Sequence, residues 1–394
     1  MANFPATPAA AAATGHRVSP SPRSSSSLPR RTTVLPSIAP SRSWRGVAAV
    51  ARAATGSDKA AVARTTINPN NVPVLSFSEH ADKNCVPFVW SFQNHLLQPQ
   101  AHIAERLDTF QASGARNQNY MAMYSSIFGG ITKDPSAMVI PIDDHMVHRG
   151  HGVFDTAAIM DGHLYELDQH LDRFLRSALM AKIPLLFDRS TIRSILIQTV
   201  SASNCTQGSL RYWLSVGPGD FQLSSSGCAN PALYAVIESP SLQVPAGCKV
   251  VTSSIPIKSP QFAVMKSVNY LPNALTKVEG EENGAFTGIW LDDKGFVAEG
   301  SNMNVGFRVL TLAEQLVADG KLSRIISRNV SVQEGKVSDE MMLIGSGILV
   351  KPVVQWDDQI IGSGQEGPIA QALYDLILED MRSGPPSVRI CIPY

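Results

Sequence analysis

The stretch from Ala137 to Ala178 restricts the fold more than any other part of the chain. M-V-I-P-I (Met138 to Ile142) predicts a strand and H-G-V-F-D-T-A-A-I-M (His151 to Met160) another. Asp161-Gly162 then predicts a tight hairpin turn before H-L-Y-E-L (His163 to Leu167). Leu167, Leu171, Phe174, Leu175 and Ala178 follow at helical spacing, with Asp168 near the N-terminus as the expected cap. Antiparallel hairpins carrying a helix give an α+β layout.

The same reading extends along the chain. Thr191 to Val200 predicts a helix, L-R-Y-W-L-S-V a strand ending in G-P-G-D (Gly217 to Asp220), and Ala232 to Ile237 a further strand. A Pro- and Ser-rich stretch then marks an interdomain linker at 240–247. This divides the chain into a small α+β domain at 137–239 and a large domain at 248–394. The large domain opens on the strand C-K-V-V-T-S-S-I (Cys248 to Ile255) and a loop that carries Lys266. Next comes a helix with Pro272 in its first turn and Leu271, Leu275 and Val278 as its apolar stripe. Gly288 to Leu291, D-D-K-G and F-V-A-E predict a hairpin that puts Val297 and Glu299 on one face. Gly367-Pro368 starts a terminal helix. Residues 56–136 form an N-terminal extension, with a helix around Phe92 to Phe110 and a strand near Tyr124 to Ile131.

The formal charge of zero conceals an asymmetry. No acidic residue precedes Asp58, while seven arginines stand in that opening stretch among Ala, Ser and Pro. Arg-rich, Ser-rich and acid-free is the composition of an organelle transit peptide, here residues 1–55, with cleavage around Ala54; a disordered tail without an address is the other reading. Seven of the 33 basic residues leave with it, so 26 face 33 acidic ones, which argues against a nucleic-acid partner. No apolar run approaches ~18 residues, so no membrane span is expected. Five cysteines, odd in number and without C-x-x-C, read as free thiols.

Three residues carry candidate chemistry. Lys266, among Phe262, Val264, Met265 and Val268, is an amine whose desolvation would favour the nucleophilic free base. Arg173, three residues after His170 and off the Leu171 stripe, could hold a phosphate bidentately. Glu299, at the end of a strand, could pair with a protonated ring nitrogen. Each also has a plainer reading, as a surface lysine, a solvated helix face and an exposed edge glutamate.

Four motifs join them: D-D-H-M-V-H-R-G-H-G-V-F-D-T, Y-E-L-D-Q-H-L-D-R, K-S-V-N-Y-L-P-N and A-E-G-S-N-M-N-V. From about Met138 to Pro393 the chain resembles the fold-type IV, or class IV, pyridoxal-phosphate aminotransferases. Within that class it is most similar to the plastid D-amino acid transaminase and aminodeoxychorismate lyase group. The resemblance implies a two-domain α+β fold, pyridoxal 5'-phosphate as cofactor, and a homodimer with its site between the domains. It implies transamination of D-amino acids with a 2-oxo acid acceptor, or lyase action on 4-amino-4-deoxychorismate; a branched-chain L-amino acid aminotransferase is the alternative. Under it Lys266 binds the cofactor covalently and moves the Cα proton, Arg173 holds the phosphate, and Glu299 pairs with the pyridine nitrogen. Ser301 and Asn302 lie on the phosphate side, Tyr270 and Phe154 line the pocket, and Ser346 and Gly347 in the loop Gly345 to Ile348 contact cofactor and substrate.

The chain departs from the class at two places. After Phe307 the class has another strand and a turn bearing Gly-x-Thr at a helix N-terminus; here R-V-L leads straight into T-L-A-E-Q-L, as if part of the large domain were missing. Thr311 and Glu314 make a capping-box pattern that would start the helix. A truncated, weakly active or inactive isoform is therefore a further reading. Val216 stands where some bacterial relatives carry a carboxylate-binding arginine. Asp143, Asp144, His145, His148 and His151 crowd one segment as a metal site would, but steps of three suit neither a strand face nor the usual helical ligand pair, and no metal is expected.

Overall fold

The computed structural model describes residues 71–72, 74–75, 120–239, 246–303 and 307–394. The expected transit peptide, the Phe92 to Phe110 helix, most of the extension and the middle of the linker lie outside them.

Two sheets dominate. The first has strand order β1-β3-β2-β7-β6-β4-β5-β14, from Val74–Leu75 (β1), Tyr120–Ser125 (β2), Gly130–Thr132 (β3), Gly152–Met160 (β4), His163–Tyr165 (β5), Gly208–Ser215 (β6), Ala232–Glu238 (β7) and Arg389–Cys391 (β14). Every neighbouring pair is antiparallel except β1 with β3. Asp161 and Gly162 both take positive φ, as the two-residue turn between β4 and β5 requires. The second sheet runs β10-β9-β8-β12-β11, from Cys248–Thr252 (β8), Thr287–Leu291 (β9), Val297–Gly300 (β10), Met341–Gly345 (β11) and Leu349–Trp356 (β12), with Gln359–Ile360 (β13) paired to β12.

Strand alternation decides which side chains meet. On β4, Val153, Asp155, Ala157 and Ile159 are buried, whereas Phe154, Thr156 and Ala158 point to the opposite, half-open face. Two helices cover the buried face: Leu167–Met180 (α2), through Leu167, Leu171, Phe174 and Ala178, and Arg189–Ser203 (α3), through Ile192, Ile195, Leu196 and Val200. Burial of each such Leu, Ile, Val or Phe side chain contributes roughly 1.5–3 kcal/mol. A second cluster joins both sheets. Phe307–Ala318 (α5) and Pro368–Ser383 (α6) pack Val309, Leu312, Leu316, Leu373, Ile377 and Met381 against Val350 of β12 and against Met160 and Tyr165. The backbone N–H groups of Ile369 and Ala370 both donate to the Glu340 carboxylate, which caps α6.

Several expectations are corrected. Met138 to Ile142 is not a strand: Pro141 has no N–H for a ladder, and Ile142 is 74% exposed. The short helix His145–Arg149 (α1) follows, capped by Asp144. The strand near Tyr124 to Ile131 is a hairpin of β2 and β3. Asp168 does not cap α2; its carboxylate reaches Arg189 and Arg193 of α3. The helix Leu271–Glu282 (α4) leaves Leu271 (69%) and Leu275 (43%) exposed and turns Asn273, Thr276 and Gly280 inward. The cause is a close backbone approach, because a Cβ on Gly280 would stand 2.6 Å from Thr287 Cα. Thr311 does not start α5, which begins at Phe307; packing of Val309 against α6 draws the preceding turn into the helix. Finally, β14 returns the chain terminus to the first sheet.

Candidate active site

The cavity of interest holds about 340 Å³ and lies where β4, α2, the Lys266 loop, the β11–β12 turn, α5 and α6 converge. Lys266, Arg173, Tyr270, Phe154, Asn302, Ser346 and Gly347 all line it. Glu299 and Ser301 do not. Ser301 is buried, its hydroxyl 2.8 Å from that of Thr287 and its carbonyl accepting from the Asn273 amide. Glu299 is half-buried on β10, close enough for its charge to act on Tyr270 and Lys258.

Backbone pairing fixes the Lys266 loop along the start of β4. Phe154 N–H donates to Lys266 O at 3.0 Å, Val268 N–H to Gly152 O at 3.0 Å, and Lys266 N–H to Ser177 Oγ of α2 at 3.2 Å. Asn269 donates to Gly150 O, and a Cβ on Gly150 would lie 2.2 Å from the Asn269 Oδ1; its φ of +66° also selects glycine. The loop therefore delivers Lys266 to the open face of β4.

There the Lys266 Nζ donates to Tyr270 Oη at 3.2 Å and sits 4.3 Å from the Phe154 ring centroid. The two rings meet edge-on at 5.0 Å. Burial takes the Lys266 amine down to about 8; Asp155 opposes this, and Arg173, Lys258 and Arg211 reinforce it. Burial, then the charge of Glu299, pushes the Tyr270 phenol up to about 12. Because the amine is harder to protonate in the folded chain than unfolded, stability rises with pH from about 8 to about 10.5. Lys266→Met is accordingly expected to stabilise the cofactor-free chain at pH 7 by on the order of 2 kcal/mol and to flatten that rise. Urea melts at pH 7 and 9.5 measure both; a destabilised variant would contradict the desolvation argument.

Asp155 also lines the cavity, a residue that the sequence reading does not single out. Alternation sends its carboxylate to the apolar face of β4, where an unpaired charge is untenable. Arg173 answers from α2, Nε to Oδ2 at 2.8 Å and Nη2 to Oδ1 at 2.6 Å, with His170 Nδ1 at 3.2 Å. Burial would raise the Asp155 pKa, but the hydrogen bonds from Arg173 and His170 outweigh it and bring it to about 2. An acidic residue at buried parity in V-F-D-T-A-A-I was the signal. Arg211 of β6, 3.1 Å from Glu238, also lines the cavity, and Lys258 stands 5.0 Å from the Tyr270 ring.

The histidine-rich segment has other partners. His145, His148 and His151 face the carbonyls of Gln222, Asp143 and Ala181, and Asp144 accepts from Ser215 and, at 2.6 Å, from Tyr234. Among the described residues no cluster of His, Cys, Asp or Glu could hold a metal ion, and no helix is long and apolar enough to cross a membrane. The four described cysteines are free.

Residues 152–356 match the amino-transferase class IV family. The chloroplastic D-amino-acid transaminase of Arabidopsis thaliana is 61% identical over 301 residues, covering 70% of this chain and 81% of that protein. The D-alanine aminotransferase of Bacillus licheniformis is 26% identical over 278 residues, 64% and 97% of the two chains. The branched-chain amino acid aminotransferase of Thermobaculum terrenum, solved in its PLP (holo) form, shares the fold: TM-score 0.62 at 17% identity, over 70% of this chain and 99% of that one. The cavity's donors fit a phosphorylated pyridine aldehyde, with a readily deprotonated amine between two aromatic rings and a guanidinium at the cavity wall. The chain belongs to the class IV aminotransferases, and its cofactor is pyridoxal 5'-phosphate.

Proposed function

We propose that the chain transaminates D-amino acids with 2-oxo acids, in a plastid and as a homodimer. The observation that carries this reading is the joint lining of one cavity by Lys266, whose amine is lowered to about 8, and by the two arginines Arg173 and Arg211. The 61% identity to a chloroplastic D-amino-acid transaminase supports the substrate and the compartment.

In this reading Lys266 would hold the cofactor, and its Nζ would take the proton from the substrate Cα and later give a proton back. Arg173 holds the phosphate, with Asn302 and Ser346 beside it. Glu299, off the cavity wall, would act on the pyridine nitrogen only through its charge, as it acts on Tyr270. Phe154 and Tyr270 exclude water around Nζ and keep it largely uncharged above about pH 8. Bound pyridoxal phosphate supplies the electron sink for the electrons left at Cα. Arg211 takes the substrate carboxylate, the role that Val216 cannot fill.

Parallel assays with D-alanine, L-leucine and aminodeoxychorismate, with 2-oxoglutarate as acceptor for the amino acids, test the reading. Turnover of D-alanine is expected to exceed that of L-leucine, and Arg211→Met to raise the KM for D-alanine by about 30-fold with a smaller change in kcat. Turnover of L-leucine alone would replace this reading with the branched-chain one, and pyruvate release from aminodeoxychorismate alone with the lyase one.

A further inference from the structure

We infer that Asp155 is a positioning residue for the anion-binding arginine, holding Arg173 so that Nη1 is the guanidinium edge offered to a phosphate. The inference rests on the cofactor-phosphate reading of Arg173 and adds a residue to it.

An arginine on a helix surface ordinarily samples many rotamers, and its fork can present any of three edges. Here the edge formed by Nε and Nη2 is already engaged. Nε and Nη2 bind the two Asp155 oxygens at 2.8 and 2.6 Å, and Nη2 also lies 3.0 Å from His170 Nδ1. Among the described residues Nη1 makes no hydrogen bond, while the side chain is 31% exposed and lines the cavity. Asp155 itself cannot move: its side chain is fully buried and sits within the strand that also carries Phe154. The Arg173 carbonyl accepts from the Ser177 hydroxyl at 2.9 Å, and the oxygen of that hydroxyl accepts from Lys266 N–H. The clamp thus sets the distance between the guanidinium and the lysine loop.

Two effects of the Asp155 charge compete. It orients Arg173, and it weakens the pull of Arg173 on an anion. If orientation wins, removing the charge costs affinity; if neutralisation wins, removing it gains affinity.

Inorganic phosphate, titrated into the full cofactor-free chain by calorimetry, decides between them. Asp155→Asn is expected to weaken phosphate binding about tenfold and Asp155→Glu to stay within about threefold of the parent. In an Arg173→Ala background Asp155→Asn should have no further effect, whereas a merely structural role would add its loss to that of Arg173→Ala. Arg173→Lys keeps the charge and the buried pair but has no second edge, so it should lose as much as Arg173→Ala; this variant serves if Asp155→Asn does not fold. Equal or tighter phosphate binding by Asp155→Asn, additive losses, parent-like Arg173→Lys, or no phosphate affinity in the parent would each overturn the inference. Because no amino acid is present, a chain that meets these expectations without turning over D-alanine loses only the transaminase reading.

Discussion

Lys266→Ala is expected to reduce D-amino acid turnover by about 10⁴-fold, because in the proposed reading the same Nζ would both hold the cofactor and carry the Cα proton. Turnover is the less discriminating measurement, since many lesions lower it. Absorbance separates them: the parent should show the band of covalently held pyridoxal phosphate, and the variant the band of the free aldehyde. Sodium borohydride should fix the cofactor to the parent only. Identical spectra would remove Lys266 from its assigned role. The setting of the amine makes a sharp result expected. It is pressed between Phe154 and Tyr270 and lowered to about 8, so a large fraction is already nucleophilic in mildly alkaline solution. The rate of cofactor capture should therefore rise with pH and level off above about 8, with the sign that a lowered lysine pKa requires.

Cofactor affinity should increase by about 100-fold when a strand and a Gly-x-Thr turn of the kind the class resemblance implies are inserted between Phe307 and Arg308. The expectation follows from counting donors. β10 ends at Gly300 and α5 begins at Phe307, so among the described residues no strand lies between them. In the proposed reading a phosphate would meet Arg173, Asn302 and Ser346 of the cavity lining, with no glycine turn at a helix start beside them among the described residues. Two hydrogen bonds to a charged oxygen, at roughly 1.5 kcal/mol or more each, amount to about two decades of affinity. Titration of pyridoxal phosphate into both chains measures this. Equal affinities would mean that the short connection costs the site nothing, and parent affinity too weak for saturation would favour a catalytically silent isoform.

The sequence showed most hairpins and helices with good fidelity, because alternation and helical spacing are local. Its errors were also of one kind. Leu271, Leu275 and Val278 look like a buried stripe, but a glycine on the other face lets the helix backbone settle onto β9, and that closeness outweighs the hydrophobic pattern. Thr311 looks like a cap, but contact with α6 lengthens α5 past it. Asp168 looks like a cap, but two arginines on the next helix claim its carboxylate.

What the chain settled by itself was chemical identity: an amine in an apolar, aromatic-flanked loop, an arginine off the apolar stripe of its helix, and motifs in an order that marks the class. Tertiary structure decided which of these groups share one cavity. Lys266, Arg173, Tyr270 and Phe154 converge because the lysine loop hydrogen-bonds along β4 and to α2 through Ser177, contacts separated by many residues in sequence. Glu299 and Ser301, nearer in sequence to Lys266 than Arg173 or Phe154 is, lie off the cavity wall. The Asp155 clamp also belongs to the fold. A carboxylate becomes a positioning group only when a strand buries it and a helix brings an arginine to within 2.6 Å.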